Sequence, residues 1–485
     1  MRTEIEHMRE ALASYIEATY HLSNPKVVNL RRNLLTQGGV AQTPFIESTP
    51  AYVGDRKFAT LAIDPKVRAF LTSMASRESE QLLFDPPYEH QAQALELAAT
   101  ADAGGTGIVV TTGTGSGKTE SFLLPVLARL AGEATHRPEH FSTRGVRALL
   151  LYPMNALVND QLGRLRTLFG ASAVRKWFTS AANRPAKFGR YTGRTLYPGM
   201  RDGDRDQKRL KTLEYYLKIE DGARAGNVKD QALLHILREK GRWPGKPDSF
   251  LGAFDGLRNW YGKPGAHWVD SNGDPLRAIE RLEDPELLTR HEIQAACPDL
   301  LVTNYSMLEY MLLRPIERDI FADTRAYFEA HPQETFFLIL DEAHLYRGAN
   351  GTEVAYLIRR LLDRLRLPAS RVTFIATSAS FSNSATAAKF VARLTGLETH
   401  AITTLTGEKR ACERAAEGPA ELASALASVQ LNMLQSSSPR DRAAVLIPLA
   451  KLGQRQIGAP VMLIALIIGL GVSLFQALTQ IQEMT

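Results

Sequence analysis

The chain has 485 residues, a length that suggests two to four domains, and its 44% hydrophobic and 23% charged content excludes collagen-like, mucin-like and wholly disordered classes. Only two cysteines occur, Cys297 and Cys412, far apart and outside any Cys/His cluster, which excludes a disulfide framework, a zinc finger and an iron–sulfur cluster. The net charge of +6 is a mild bias that permits a polyanionic partner.

In chain order, residues 1–22 read as a helix, with Met8, Leu12, Tyr15, Ile16 and Tyr20 at three- and four-residue spacing. Glu4 and Glu6 and the lack of an apolar h-region argue that no secretory signal opens the chain. A Pro- and Gly-punctuated approach runs from Asn24 to about Pro87, so residues 1–83 are expected to form a helical and extended N-terminal region. From there to about Leu394, short apolar runs alternate with helical stretches: Gly107–Thr111, Val146–Tyr152, Asp299–Thr303, Thr335–Leu340 and Val372–Ala376. Runs that are apolar throughout suit parallel strands buried on both faces. The alternation predicts a doubly wound α/β domain over residues 84–395, with ligands at the carboxyl ends of its strands. A polar segment over about 178–296 is expected to be an insertion beside the sheet. Lys187–Lys246 holds 15 Lys/Arg against 8 Asp/Glu, so the basic character is concentrated there. Residues 396–455 read as an Ala/Ser-rich helical linker.

Two motifs carry chemistry. Thr112-Gly113-Thr114-Gly115-Ser116-Gly117-Lys118-Thr119 follows the run Ile108–Val110 and precedes a helical stretch, Ser121–Leu130. Three glycines let successive N–H groups turn toward phosphate oxygens, and the following helix N-terminus adds donors and partial positive charge. Lys118 is placed to reach the β- and γ-phosphates, and the Thr119 hydroxyl to hold Mg²⁺. Thr112 stands where the strict P-loop pattern begins with Gly. Asp341-Glu342-Ala343-His344 follows the run Phe336–Leu340. A carboxylate at the end of a buried strand can hold Mg²⁺ through its water shell. A second one beside it can orient or deprotonate water. Asp341 is therefore assigned to the metal and Glu342 to the water. An acidic pair after a strand commonly serves only a helix dipole; its pairing with a P-loop favours the catalytic reading.

Together these residues resemble the superfamily 2 DEAD/DEAH-box helicases over about Phe84–Leu394. The resemblance implies a RecA-like P-loop lobe that uses ATP and Mg²⁺, with His344 completing the catalytic set. Tyr88-Glu89-His90-Gln91 resembles the adenine-reading element, with Gln91 as its glutamine. Tyr152 to Gln161 resembles motif Ia, and so implies strand-gripping roles for Pro153, Asn155 and Gln161. Thr192-Gly193-Arg194 resembles the Thr-Gly element, and Thr303-Asn304 stands where motif Ib belongs. In the family these loops hold the sugar–phosphate backbone of one strand. Thr377-Ser378-Ala379-Ser380 resembles motif III, implying that Ser378, Ala379 and Ser380 couple hydrolysis to grip. The string Leu345-Tyr346-Arg347-Gly348 is similar to large bacterial DEAH-box DNA helicases, so DNA is expected over RNA. No Gln-x-x-Gly-Arg-x-x-Arg string occurs. The resemblance thus implies the front half of a helicase, and a second lobe or protein partner is expected.

The C-terminal stretch is of another kind. Gln456–Gln482 carries no charge, and Ala459–Leu478 is almost wholly apolar. Twenty such residues at ~1.5 Å each span the ~30 Å core of a bilayer. Residues 456–485 resemble the second hydrophobic segment of the FliQ family of flagellar and type III export membrane proteins. A buried core helix and a junction joining unrelated reading frames are the alternatives. Three functions follow as expectations: an ATP-dependent helicase lobe, a nucleotide- and nucleic-acid-binding module with little turnover, or a FliQ-like subunit with a helicase-like passenger. The expected localisation is cytoplasmic, with residues 459–478 as a route to inner-membrane anchoring.

Overall fold

The structure, a computed structural model, describes residues 2–35, 51–76, 81–100, 105–113, 115–195, 215–216, 218–245, 283–379, 381 and 383–410. Among the described residues eight strands form one sheet: β1 (Gly107–Thr111), β2 (Ala148–Tyr152), β3 (Phe188–Tyr191), β4 (Glu286–Leu287), β5 (Leu300–Asn304), β6 (Phe336–Leu340), β7 (Val372–Ser378) and β8 (Ile402–Thr406). Their order is β4-β3-β5-β2-β6-β7-β1-β8, and every pairing is parallel. The five apolar runs of the sequence are β1, β2, β5, β6 and β7, which are contiguous in the sheet, with β3 and β4 on one side of them and β8 on the other. This is the parallel α/β sheet of a RecA-like lobe.

Alternate residues of each strand serve opposite faces, as the period of two requires. Ile108, Val110, Leu150, Ile339 and Ile375 enter one core with the helices 65–74, 120–136, 155–169 and 172–182. Val109, Leu149, Leu151, Leu338 and Phe374 enter the other with the helices 305–313, 318–330, 348–365 and 384–395. Both faces are covered, so the strands need no polar side. At the amino ends of the strands a buried ion network fastens the sheet: Arg147 pairs with Glu133 at 2.8 Å and Asp299 at 3.1 Å, and Arg184 pairs with Asp299 at 2.7 Å. The opposite, carboxyl ends are left for the motif loops.

The chain path creates the crevice there. β1 and β2 are consecutive in sequence but separated in the sheet by β6 and β7. The connection leaving β1 therefore runs to one side and those around β6 and β7 fill the gap, the switch-point geometry at which α/β sheets bind ligands.

Three placements differ from the sequence reading. β3 lies inside the stretch expected to be an insertion; Phe188–Tyr191 contains a glycine and an arginine, so it shows no apolar run, yet it pairs with β5 and β4. β8 lies beyond Leu394, in the stretch read as a linker, and pairs with β1; three of its five residues are threonine and its buried ones, Ile402 and Leu405, are three apart and enter opposite cores, so it shows neither an apolar run nor an alternation. Residues 51–76 are not a separate approach. Phe58, Leu61, Phe70 and Leu71 are buried in the first core, and Tyr52 bridges Lys409. The N-terminal helix is Arg2–Thr19, with Met8, Leu12 and Tyr15 exposed. Thr114, Ser380 and the apolar segment 456–485 lie outside the described residues. Among the described residues no helix is long and apolar enough to cross a membrane.

Candidate active site

The phosphate-type loop leaves β1, the acidic pair leaves β6, and the Thr-Ser element ends β7, which lies between them. Adjacent parallel strands in register thus deliver all three to one edge. Thr112 N–H donates to the Ser378 carbonyl at 3.2 Å, tying the first loop to the third. Gly115 and Gly117 have φ of +77° and +67°. At Gly117 a Cβ would also stand 2.3 Å from Gln91 Nε2, so a side chain there would be strained by its backbone and would displace Gln91 from the loop. Thr112, the departure from the strict pattern, is buried and its hydroxyl meets Ser116 Oγ at 2.5 Å, which closes the loop on itself.

The upstream element holds this loop from behind. Gln91 Nε2 donates to the Gly117 carbonyl at 2.8 Å while its Oε1 accepts from Tyr88 N–H at 2.9 Å. His90 Nε2 meets the Ser116 carbonyl at 3.0 Å, so that ring nitrogen carries a hydrogen and donates. Burial depresses the His90 pKa, only partly opposed by that bond and by Glu89. The unfolded state then binds the proton more readily, and stability must rise with pH below the ordinary histidine value near ~6.5. Replacing His90 with Gln, which keeps a donor, should flatten the rise of Tm between about pH 5 and 7 relative to wild type. Parallel Tm–pH curves for the two proteins would show that His90 is not the titrating group.

A cavity of about 820 Å³ opens beside the loop, lined by Phe84, Tyr88, Gln91, Gly115, Gly117 and Glu120 among others. Phe84 is 82% exposed, so its ring face is open to pack against a flat ligand.

Lys118 Nζ lies 3.4 Å from Glu342 Oε1. Glu342 takes a left-handed backbone, φ +49°, a strain of about 1–2 kcal/mol for a residue with a Cβ. Its other oxygen meets His344 Nδ1 at 3.3 Å, and that nitrogen also meets Ser378 Oγ at 3.2 Å. Burial lowers the His344 pKa, with Lys118 and Arg347 adding to the effect against Glu342. Asp341 is buried and accepts from the Thr377 hydroxyl and from Glu342 N–H. Burial raises its pKa despite those bonds, the mark of an anion short of compensating charge. A divalent cation would supply that charge. The hard oxygen donors of Thr119 and Asp341 suit Mg²⁺, which keeps several waters and takes few protein ligands. Among the described residues no group of three or more His, Cys, Asp or Glu that could hold a metal ion gathers.

The expected strand-gripping loops leave β2, β3 and β5, which are neighbours in the sheet. Asn304 Nδ2 donates to Asn155 Oδ1 at 2.6 Å, and Asn304 Oδ1 caps the next helix at Met307 N–H. Asn155, Gly193 and Arg194 are exposed and Pro153 is half-buried. Thr192, Thr303 and Asn304 are buried; the Thr303 hydroxyl donates to the Tyr191 carbonyl at 2.6 Å and Arg290 donates to the Thr192 carbonyl at 2.9 Å. These three shape the loops and present backbone. Gln161 does not join this group: it is buried, with Nε2 donating to Thr119 Oγ1 at 3.2 Å. Its helix carries it to the phosphate side. Two residues escaped the sequence reading. The Tyr52 hydroxyl accepts from Gly113 N–H at 3.2 Å, across 61 positions of chain. Thr377, which holds Asp341, sat unassigned within a motif already recognised.

Residues 88–196 match the DEAD/DEAH box helicase family, and residues 455–485 match the bacterial export proteins, family 3. The chain is 45% identical over 400 residues to the Druantia protein DruE of Escherichia coli (strain UMEA 4076-1), covering 81% of this chain. It spans about a fifth (21%) of that protein's length. Among solved structures it is similar to the DUF1998 helicase MrfA bound to DNA, at 18% identity and TM-score 0.38, covering 85% of this chain and 41% of that one. It is also similar to the DEAD-box helicase Mss116 bound to ssRNA and UDP-BeF, at 10% identity and TM-score 0.38, covering 75% and 48%.

Proposed function

We propose that this chain, which carries a DEAD/DEAH box helicase domain and so belongs to an ATP-dependent enzyme class, binds ATP with Mg²⁺ and hydrolyses it while holding one strand of DNA. The observation that carries this is the convergence of three loops from the adjacent strands β6, β7 and β1, with Lys118 and Glu342 3.4 Å apart. The base and ribose would occupy the cavity at Phe84, Tyr88 and Gln91. Backbone N–H groups of 113–119 and Lys118 would take the phosphates. Thr119 and Asp341 would hold the Mg²⁺, whose role is to neutralise charge on the phosphoryl oxygens. Glu342, left by Lys118 as the lysine turns to phosphate, becomes free to orient and deprotonate water. His344, between Glu342 and Ser378, links that carboxylate to the end of β7, where Ser378, Ala379 and Ser380 would transmit the state of the nucleotide.

The strand would run over the loops at Asn155, Gly193, Arg194 and Asn304, whose backbone and short polar groups read charge and shape. DNA is favoured by the string Leu345–Gly348 after the acidic motif. Stepping along a strand needs a second lobe that closes over ATP and supplies an arginine, which a larger assembly or longer protein would contribute. If phosphate contacts dominate, affinity for oligo(dT) should fall at least tenfold between 50 and 200 mM salt. Fluorescence anisotropy checks this, and flat affinity would refute backbone binding.

The match of residues 455–485 favours a second reading for the tail alone, as a segment that partitions into membranes and anchors the lobe on its cytoplasmic side. Carbonate-washed membranes from cells expressing the chain with and without 456–485 provide the test. Equal absence of both forms from the pellet would remove the reading.

A further inference from the structure

Gln161 stands at a junction the assigned motifs do not explain. It sits on the helix Asn155–Phe169, whose first residue bonds Asn304 in the strand-gripping loops. Six residues on, ~9 Å along the axis, the same helix buries Gln161 against the phosphate loop. There its Nε2 donates to the Thr119 hydroxyl oxygen, while its Oε1 is buried with no hydrogen-bond partner. One turn further, Arg164 meets Glu120 at 3.1 Å, so this face of the helix rests on the start of the phosphate-loop helix. A hydroxyl oxygen has two lone pairs and one hydrogen. With one lone pair engaged by Gln161, the other is the one left for a cation, and the hydroxyl hydrogen is turned away. A free rotor would have no such preference. The unpartnered Oε1 adds an acceptor beside the same hydroxyl, where a water of a hydrated Mg²⁺ needs one.

We propose that Gln161 is a positioning residue that orients the Thr119 hydroxyl toward Mg²⁺ and, through the rigid helix it shares with Asn155, ties that orientation to strand binding. This rests on the nucleotide reading given above. The experiment uses the full chain and a fluorescent non-hydrolysable ATP analogue, with Mg²⁺ titrated and bound analogue read directly. Gln161→Leu removes the donor at similar volume, and should raise the Mg²⁺ needed for half-saturation about fivefold, one neutral hydrogen bond, while affinity in EDTA stays the same. Gln161→Met, unbranched and also without a donor, gives the same readout if the Leu variant folds poorly. In a Thr119→Ala background the Gln161 change should have no further effect, since the group it orients is gone.

Saturating oligo(dT) should lower the Mg²⁺ midpoint of wild type and leave that of the Leu variant unmoved, by linkage between the two sites. An unchanged Mg²⁺ midpoint in both folded variants, or an additive effect in the Thr119→Ala background, overturns the orienting role. An equal oligo(dT) shift in wild type and variant overturns the tie to the strand. Wild type that does not bind the analogue at any Mg²⁺ concentration overturns the underlying nucleotide reading, and wild type that binds it with no response to Mg²⁺ overturns the metal role of Thr119 and with it the proposal.

Discussion

Lys118→Ala is expected to weaken nucleotide binding by on the order of 10²–10³-fold. Lys118 is the side-chain cation of the phosphate loop, 11% exposed and facing Glu342 at 3.4 Å. Removing it deletes a charge-assisted contact to phosphate from a largely dry site. It also leaves Glu342 as an unopposed anion where the γ-phosphate must come. Truncating one member of a desolvated charge pair costs about 2–5 kcal/mol, the source of the range given. The main-chain donors of the loop remain, so residual binding persists at high concentration. Calorimetry or a fluorescent analogue measures it directly. Equal affinity in the two proteins would sink the phosphate-loop assignment, and with it the cavity at Phe84 as a nucleotide site.

Glu342→Gln should separate binding from chemistry. Glutamine keeps the size and can still touch Lys118 and His344, but it cannot take a proton from water. Hydrolysis should fall by about 10²–10⁴-fold, the usual scale for loss of a positioned general base. Nucleotide affinity should hold or rise slightly, since Lys118 no longer leaves an ion pair with Glu342 to reach phosphate. Single-turnover hydrolysis and equilibrium binding, measured on the same preparation, resolve the two effects. A variant that hydrolyses at the wild-type rate would place the base elsewhere. One that loses binding instead would assign Glu342 a structural part in holding the left-handed turn after β6.

The features legible in the sequence are the local ones. The phosphate loop is eight consecutive residues between a strand and a helix, and backbone geometry there follows from glycine placement. The apolar runs β1, β2, β5, β6 and β7 are inner strands covered on both faces, so they announce themselves by composition. β3 and β8 are shorter or lie at edges, with less to bury, and composition is silent about them. The acidic pair after β6 gained its meaning from co-occurrence with the loop, which a sequence can display without showing contact.

The parallel α/β fold class and the motif inventory were therefore determined by the sequence itself, because each depends on neighbours within a turn or a strand; the roles proposed for Lys118, Thr119, Asp341 and Glu342 start from those motifs. The tertiary structure decided who faces whom. Motif Ia resemblance sent Gln161 to the nucleic acid, but the pitch of its helix turns it onto Thr119. Tyr52 reached Gly113, and Thr377 reached Asp341, only once β8, β7 and β6 were ordered in the sheet. Parallel strands need crossovers, so residues that share a strand edge are far apart in the chain, and nothing in local sequence records their pairing.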